Sequence, residues 1–193
     1  KNRRLEAAKL WTFPPESRSM PPPQSFPDTM PMTIQPRSDA LHVIGIELRT
    51  TNREAAQTIP PFWQRFAGEG LPARLPERLS DDVYAVYTHF EHAGLNNDGC
   101  YSLVIGLAMP ASAGTPPGLV RATIPAGPEA VFSVEAGRPD RVAEGWQVVW
   151  QRADLPKTFI ADHERYQADG GISIHVGLRS TDASLPHEAA DGG

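Results

Sequence analysis

Cysteine and long apolar stretches are what this sequence lacks most clearly. Its 193 residues include one cysteine, Cys100, which excludes an internal disulfide and a zinc site built on cysteine pairs. A single thiol is typical of a reducing compartment, so we expect a cytoplasmic protein. No run approaches the roughly 20 apolar residues of a membrane-spanning helix, and no segment resembles a signal peptide. We therefore predict no membrane partner.

Lysine is scarce as well, and acidic residues outnumber basic ones. The net charge is −5, and Lys157 is the one lysine beyond residue 40. Residues 1–40 carry six basic and four acidic residues, which leaves a charge of −7 on the remainder. A protein body this acidic is a poor match to a phosphate backbone. We therefore predict no direct nucleic-acid binding, whereas a cationic or neutral partner suits the charge.

The sequence also lacks the short motifs that mark common catalytic sites. It contains neither the G-x-S-x-G elbow of serine hydrolases nor a phosphate-binding P-loop. Cys100 lies in a loop-like segment, where an unreactive thiol is the simpler interpretation. We therefore predict no cofactor, and the motifs assign no catalytic residue.

Proline is abundant in one part of the chain. Eight of the 20 prolines lie within residues 1–40, where they favour extended backbone and remove backbone donors. The helix-compatible run Arg3–Leu10 is shorter than the ~12–15 residues that an isolated helix needs. We interpret residues 1–40 as a flexible leader: a linker, a tag remnant, a Pro-rich ligand, or upstream read-through before a start at Met32. Residues 181–193 are predicted to be a flexible tail.

Residues 41–109 predict a strand, a helix and a hairpin. The apolar and β-branched pattern places these elements at Leu41–Arg49, Arg53–Phe66, Val83–Glu91 and Tyr101–Met109. Asn52 is the predicted helix N-cap. Pro60 and Pro61 are predicted to kink or restart the helix, because proline suits a first turn and not an interior.

The same order recurs after a linker at residues 110–118. Within residues 119–180 the predicted elements are Glu129–Glu135, a helix from the cap Asp140 to Trp150, and a hairpin of Thr158–Tyr166 and Ile172–Arg179. Residue identities recur with the order, since Val43–Glu47 matches Val131–Glu135 and Trp63–Arg65 matches Trp150–Arg152. Together these matches indicate an internal duplication. We predict an α+β fold of two pseudo-symmetric strand–helix–strand–strand repeats, forming one concave domain with a central ligand cleft.

Several segments resemble the GyrI-like effector-binding domain, which also forms the C-terminal part of AraC- and MerR-type regulators. The resemblance covers residues 41–179 and is carried by the segments "IPPFWQRF", "VYAVYTHFE", "YSLVIG" and "TFIADHERY". It implies two strand–helix–strand–strand repeats and the binding of amphipathic, often aromatic and cationic, small molecules. It also implies a DNA-binding or transcription partner protein, because no helix-turn-helix precedes the domain in this sequence.

The resemblance also implies the centre of the binding site. The acidic residue of the family's Asp-aromatic-Glu-x-Tyr motif maps onto Glu164, with His163 where an aromatic residue is usual, and Glu91 is the repeat partner of Glu164. A carboxylate among aromatic rings attracts a cation by charge, and each ring adds cation–π attraction of ~0.5–2 kcal/mol. The predicted ligand-binding residues are Glu164, Tyr166, Tyr87, Glu91, Trp146, Trp150, Phe90, Tyr101 and His163.

Three functions remain open from the sequence. The favoured one is a small-molecule effector-binding protein, either stand-alone or the regulatory half of a transcription regulator. Some GyrI-like proteins hydrolyse cyclopropane-bearing compounds, which here would use Glu164 with Tyr166 or His163 to position water. The third is a protein-binding inhibitor module. His163 and His175 are predicted to face each other across the second hairpin, but such pairs arise by chance, and we predict no metal.

Overall fold

Residues 30–180 are the part of the chain that the computed structural model describes. They form one eight-stranded antiparallel sheet, three α-helices and a 3-10 helix. The strands are β1 Met32–Arg37, β2 Leu41–Thr51, β3 Val83–Thr88, β4 Cys100–Met109, β5 Val120–Ile124, β6 Gly127–Val134, β7 Ala161–Tyr166 and β8 Ile172–Gly177. The helices are α1 Ala55–Gly68, α2 Leu71–Arg74, the 3-10 helix Pro139–Arg141 and α3 Val142–Gln151.

The order of the strands brings the two halves of the sequence together in the middle of the sheet. The order is β1-β6-β8-β7-β3-β4-β2-β5, so β7 of the second half pairs with β3 of the first. In that pairing Ala85 lies opposite Glu164. Both predicted hairpins are confirmed, since β3 pairs with β4 and β7 pairs with β8, with His163 directly opposite His175.

Strand alternation divides the apolar residues between two faces of the sheet. On the face that carries the helices, one cluster packs around α1 and a second packs around α3, with Tyr166 touching both clusters. A third cluster, which includes Val43, Val86 and Val104, lies on the opposite face. Because neighbouring residues of a strand point to opposite faces, successive residues of β7 serve two different environments.

Helix α1 is continuous through its two prolines. The restart predicted at Pro60 and Pro61 is not found, and the helix continues to Gly68. Ile59 and Phe62 on either side of this pair are buried in the core. Burial of an apolar helix face of this kind outweighs the backbone hydrogen bonds that proline cannot make.

Neither predicted helix cap is used. No side chain caps the N-terminus of α1, and Asn52 instead donates a hydrogen bond to the Asn97 carbonyl oxygen at 3.1 Å. Asp140 lies in the 3-10 turn before α3, whose N-cap is Arg141. The Asp140 carboxylate accepts hydrogen bonds from Arg138, and this nearby guanidinium competes with the helix N–H groups for it.

Two strands are shorter than predicted at the same end of the sheet. Strand β3 ends at Thr88 and β7 begins only at Ala161, each three residues short of the predicted bound. The adjoining residues His89 and Phe159 have φ angles of 50° and 51°. A positive φ is incompatible with a strand, so the backbone turns away at both positions.

The structure corrects the extent of the leader and adds two elements. Met32–Arg37 forms strand β1, paired with β6 at an edge of the sheet, so these residues are ordered and not part of a flexible segment. Strand β5 and helix α2 were not predicted; both are five residues long or shorter, and short elements leave little periodic signal. The predicted run Arg3–Leu10 and the tail at residues 181–193 lie outside the described residues. Among residues 30–180, no helix has the length and apolar character needed to cross a membrane.

Candidate functional site

A cavity of about 440 Å³ lies between helices α1 and α3, above strands β3 and β7. Its lining combines aromatic rings, aliphatic side chains and a few polar groups from both halves of the sequence. The lining residues are Asn52, Ala55, Ala56, Ile59, Tyr87, Phe90, Asn97, Tyr101, Val142, Ala143, Trp146, Gln147, Val149, Trp150, Lys157, Phe159, Asp162 and Glu164. This volume falls in the range of about 300–1,000 Å³ that is usual for small-molecule sites.

Glu164 is a buried carboxylate in the wall of this cavity, with 2% of its surface exposed. Its Oε1 accepts hydrogen bonds from the Tyr87 hydroxyl at 2.7 Å and from Trp146 Nε1 at 2.6 Å. Its Oε2 accepts one from the Tyr166 hydroxyl at 2.7 Å. Three neutral donors therefore stabilise the carboxylate, and none of them neutralises its charge.

Burial dominates the ionisation of these groups. Desolvation raises the pKa of Glu164 above its ordinary value, while the hydrogen bonds from Tyr166, Trp146 and Tyr87 oppose that rise. Burial and the nearby Glu164 charge raise the pKa of Tyr87 and of Tyr166 well above the usual value. The same two causes raise the pKa of Tyr101 to about 12. All three phenols are therefore neutral donors at physiological pH.

Aromatic rings form a continuous wall beside Glu164. Trp146 meets Tyr87 edge to face with ring centroids 5.1 Å apart, and it stacks on Trp150 at 6.5 Å. Tyr101 links Tyr87 to Phe90, with centroids 5.8 and 5.9 Å away. Trp150 is 55% exposed, so the wall extends from the buried carboxylate out to solvent. Such a wall offers π faces and edges to a flat or cationic ligand.

Six of the nine predicted site residues line the cavity together: Glu164, Tyr87, Trp146, Trp150, Phe90 and Tyr101. Tyr166 is not among the lining residues and contacts Trp63 and Glu164 instead. Glu91 is exposed, lies outside this lining, and accepts the Cys100 backbone N–H at 2.9 Å. His163 lies on the opposite face of the sheet from the cavity, because it neighbours Glu164 on β7.

Sequence reasoning missed two charged residues of the cavity. Asp162 precedes Glu164 by two positions on β7, so strand alternation signals that both point to one face. Lys157 lies in the loop before β7, where no periodic pattern is available. Burial raises the pKa of Asp162 to about 7, against the smaller lowering effects of the Gly177 N–H and Lys157.

The opposite face of the sheet holds a second buried polar group. Glu129, His163 and His175 bring one ligand atom each within 4.8 Å of one another, a set of donors that suits a transition metal. The Arg37 guanidinium already lies among them, with Nη2 2.6 Å from Glu129 Oε2 and 3.4 Å from His163 Nε2. Arg37 therefore contributes a permanent positive charge to this cluster.

The other histidines and the cysteine form no comparable group among residues 30–180. His89 Nδ1 lies 3.3 Å from Ser102 Oγ and is mostly exposed. Cys100 is exposed and free. The carboxylate that contacts this residue is Glu91, which accepts the Cys100 backbone N–H at 2.9 Å.

The fold defines the class of this protein. An antiparallel sheet with helices on one face is the fold that it shares with the GyrI-like effector-binding proteins. The chain belongs to the Cass2 family, the integron-associated effector binding proteins, whose sequence profile matches residues 37–174. A search of curated proteins finds no match.

Solved structures with the same fold are distant in sequence. The integron cassette protein VCH_CASS2 from the mobile metagenome of Vibrio cholerae is 22% identical, with a TM-score of 0.62 over 77% of this chain and 95% of its own. SAV2435 bound to tetraphenylphosphonium is also 22% identical, with a TM-score of 0.63 over 78% and 95%. A Staphylococcus aureus MU50 protein, provisionally named a bacterial transcription regulation protein, is 20% identical, with a TM-score of 0.60 over 79% and 100%.

Proposed function

We propose that this protein binds amphipathic organic cations that carry aromatic groups, in the cavity around Glu164, without chemical change to the ligand. The observation that carries the proposal is a fully buried carboxylate whose three hydrogen-bond donors are all neutral. Such a group retains an uncompensated negative charge in a setting of low polarity, where a cation is attracted more strongly than in water. The aromatic wall supplies the apolar contact.

The comparison with SAV2435 supports the same ligand class. That protein shares the fold and is bound to tetraphenylphosphonium, a lipophilic cation with four aromatic rings. The cavity of this protein offers groups that suit such a cation. Trp146 and Tyr87 both donate to the Glu164 carboxylate, and their rings pack edge to face against each other. Three neutral donors occupy both oxygens of Glu164, and His163 lies on the opposite face of the sheet, which favours binding over catalysis by Glu164 with His163.

The proposal is tested by titrating the intrinsic tryptophan fluorescence with tetraphenylphosphonium, because Trp146 and Trp150 line the cavity. We expect saturable binding that weakens at least about tenfold, or 1.4 kcal/mol, in Glu164→Gln. Glutamine keeps the size of the side chain and an acceptor for Tyr87, so the variant isolates the charge. We also expect the ligand to be recovered chemically unchanged after incubation with the protein, as binding without turnover requires.

Glu91→Gln is the matched control. It makes the same chemical change at the repeat partner of Glu164, but on an exposed side chain outside the cavity lining. We expect its affinity to equal that of the parent. Equal losses in both variants, or no loss in Glu164→Gln, would contradict the assigned role of Glu164.

We further infer that the domain, residues 41–180, consists of two related repeats, residues 41–109 and 119–180. The order β6-β8-β7-β3-β4-β2 supports this, because each half contributes an outer, a middle and an inner strand in mirrored positions. Helices α1 and α3 follow the outer strands β2 and β6 in the two halves. In this arrangement the ligand cavity is the junction of the repeats, and ligand occupancy would be transmitted to a transcription partner through that junction.

A further inference from the structure

Asp162 is a second carboxylate of the Glu164 cavity. It lies on β7 two residues before Glu164, so the two side chains share one face of the strand, about 7 Å apart along it. Asp162 is 7% exposed, and it belongs to the cavity lining. Two acidic groups therefore face the same enclosed space.

The two oxygens of Asp162 differ in their hydrogen bonding. Oδ1 accepts the backbone N–H of Gly177 at 3.0 Å, a hydrogen bond that links β7 to β8. This contact gives Oδ1 a structural role. Within residues 30–180 no group donates a hydrogen bond to Oδ2. Oδ2 is not closed off from the cavity, so a ligand there can donate a hydrogen bond to it.

The nearest cationic side chain does not satisfy this oxygen. Lys157 also lines the cavity, but its Nζ donates a hydrogen bond to the Val149 carbonyl oxygen at 2.7 Å. Glu164 differs from Asp162 in this respect, since protein donors occupy both of its oxygens. Asp162 Oδ2 is therefore a carboxylate acceptor that the lining leaves open to a ligand.

We propose that Asp162 Oδ2 accepts a hydrogen bond from an N–H of the bound cation, so that the cavity prefers protonated amines to quaternary cations carrying the same aromatic groups. This inference rests on the proposed function. Glu164 attracts either kind of cation by charge, whereas only a protonated amine can donate to Asp162. Asp162 is thus the residue that sets the specificity between them.

Burial raises the pKa of Asp162 to about 7, because the Gly177 N–H and Lys157 stabilise the charged form less than desolvation destabilises it. The charged groups that line the cavity beside it are Lys157 and Glu164, of opposite sign. A donor from an ammonium group favours the ionised carboxylate. Binding of a protonated amine below pH 7 should therefore release a proton from Asp162.

The test compares two cations that differ by one methyl group. The probes are N-methyl-bis(2-phenylethyl)amine, protonated at neutral pH, and its N,N-dimethyl quaternary salt, titrated calorimetrically at pH 7. We expect the parent protein to bind the protonated amine about tenfold more tightly. In Asp162→Asn the two affinities should become equal, because the protonated amine loses a hydrogen bond and charge attraction, whereas the quaternary cation loses charge attraction alone.

Asp169→Asn is the control variant, since its Oδ1 also accepts a glycine N–H, from Gly171 at 3.0 Å, on an exposed turn outside the cavity lining. It should retain the tenfold preference. Equal binding of both probes by the parent would overturn the role of Asp162 and leave the role of Glu164 standing. A preference that survives in Asp162→Asn would also overturn it, and failure of both probes to bind would overturn this inference together with the proposed function.

Discussion

At the scale of single residues, Glu164 is a carboxylate whose ionisation is set by neighbours that do not themselves titrate near neutral pH. Two of its donors, Tyr87 and Trp146, also line the cavity, whereas Tyr166 does not. Tyr166 therefore offers a way to change the ionisation of Glu164 without changing the surface that a ligand contacts. Its role is that of a positioning residue.

Replacing Tyr166 by Phe should raise the pKa of Glu164 further, because the charged form loses a donor. A hydrogen bond to a charged group contributes about 1.5–3 kcal/mol, and the loss of one disfavours the ionised carboxylate. We expect affinity for tetraphenylphosphonium to fall at a higher pH in this variant than in the parent when the pH is lowered from 8 to 5. The phosphonium carries no titratable proton, so the shift reports on the protein.

The control for this pH series is Tyr84→Phe. Tyr84 is a buried phenol on β3, but it packs in the cluster on the opposite face of the sheet. Its variant should follow the pH profile of the parent. Superimposable profiles for Tyr166→Phe and the parent would show that Tyr166 does not tune Glu164.

At the scale of elements, apolar periodicity in the sequence predicts the type and order of the main strands and helices. It does not predict where a strand ends when a single residue decides that. Both hairpins, the strand β2 and the two main helices follow from apolar spacing, and the sheet places them as two adjacent groups. The ends of β3 and β7 depend on positive φ angles at His89 and Phe159, for which neither residue type gives a signal. Six of the nine predicted ligand-binding residues, found from a family motif and from aromatic content, line the cavity. The side of the sheet on which His163 lies could not be predicted, because a register shift of one residue exchanges the two faces.

Strand β1 is the element for which composition was most misleading. Its one proline, Pro36, is compatible with its position at the edge of the sheet, because an edge strand tolerates a missing donor. Arg37 attaches the strand through a salt bridge to Glu129, with Arg37 and Glu129 side chains 18% and 7% exposed. Burial alone would raise the pKa of Glu129, but His175, Gln35 and Arg37 outweigh it and lower this pKa to about 2.

Arg37→Met should therefore destabilise the protein by about 1.5–3 kcal/mol, because it removes a charged donor from a buried carboxylate and keeps most of the apolar stem. The measurement is urea unfolding at pH 7. Adding Glu129→Gln to this variant should restore part of the loss. Arg138→Met, which breaks only exposed pairs with Asp140 and Glu135, should leave the unfolding midpoint unchanged. A similar midpoint for Arg37→Met and Arg138→Met would contradict the role given to β1.

At the scale of the whole molecule, the cavity carboxylates oppose folding. Because burial raises the pKa of Asp162 from 3.8 to about 7, the folded protein holds a proton there that the unfolded chain has lost. The contribution of Asp162 to stability is thus most favourable below about pH 4 and declines as the pH rises to 7. Keeping this carboxylate buried in the ligand cavity therefore lowers the free energy of unfolding at neutral pH.

Asp162→Asn should remove this dependence. The amide keeps an acceptor for the Gly177 N–H but has no proton to lose. Relative to the parent, the free energy of unfolding of the variant should increase steadily between pH 4 and pH 8, measured by urea unfolding at each pH. Parallel curves for the two proteins would mean that Asp162 is ionised in the folded state at no cost.

The pairing of β3 with β7 has a mechanical consequence. The cluster around α1 belongs to the first half of the chain and the cluster around α3 to the second, and this ladder joins them beneath the cavity. A ligand in contact with both α1 and α3 would link the two halves across the junction and suppress local unfolding of the β3–β7 ladder. Amide hydrogen exchange should therefore slow at β3 and β7 when tetraphenylphosphonium is added, by a larger factor than in the β2–β4 ladder. Uniform slowing of both ladders would instead indicate that the ligand stabilises the molecule only as a whole.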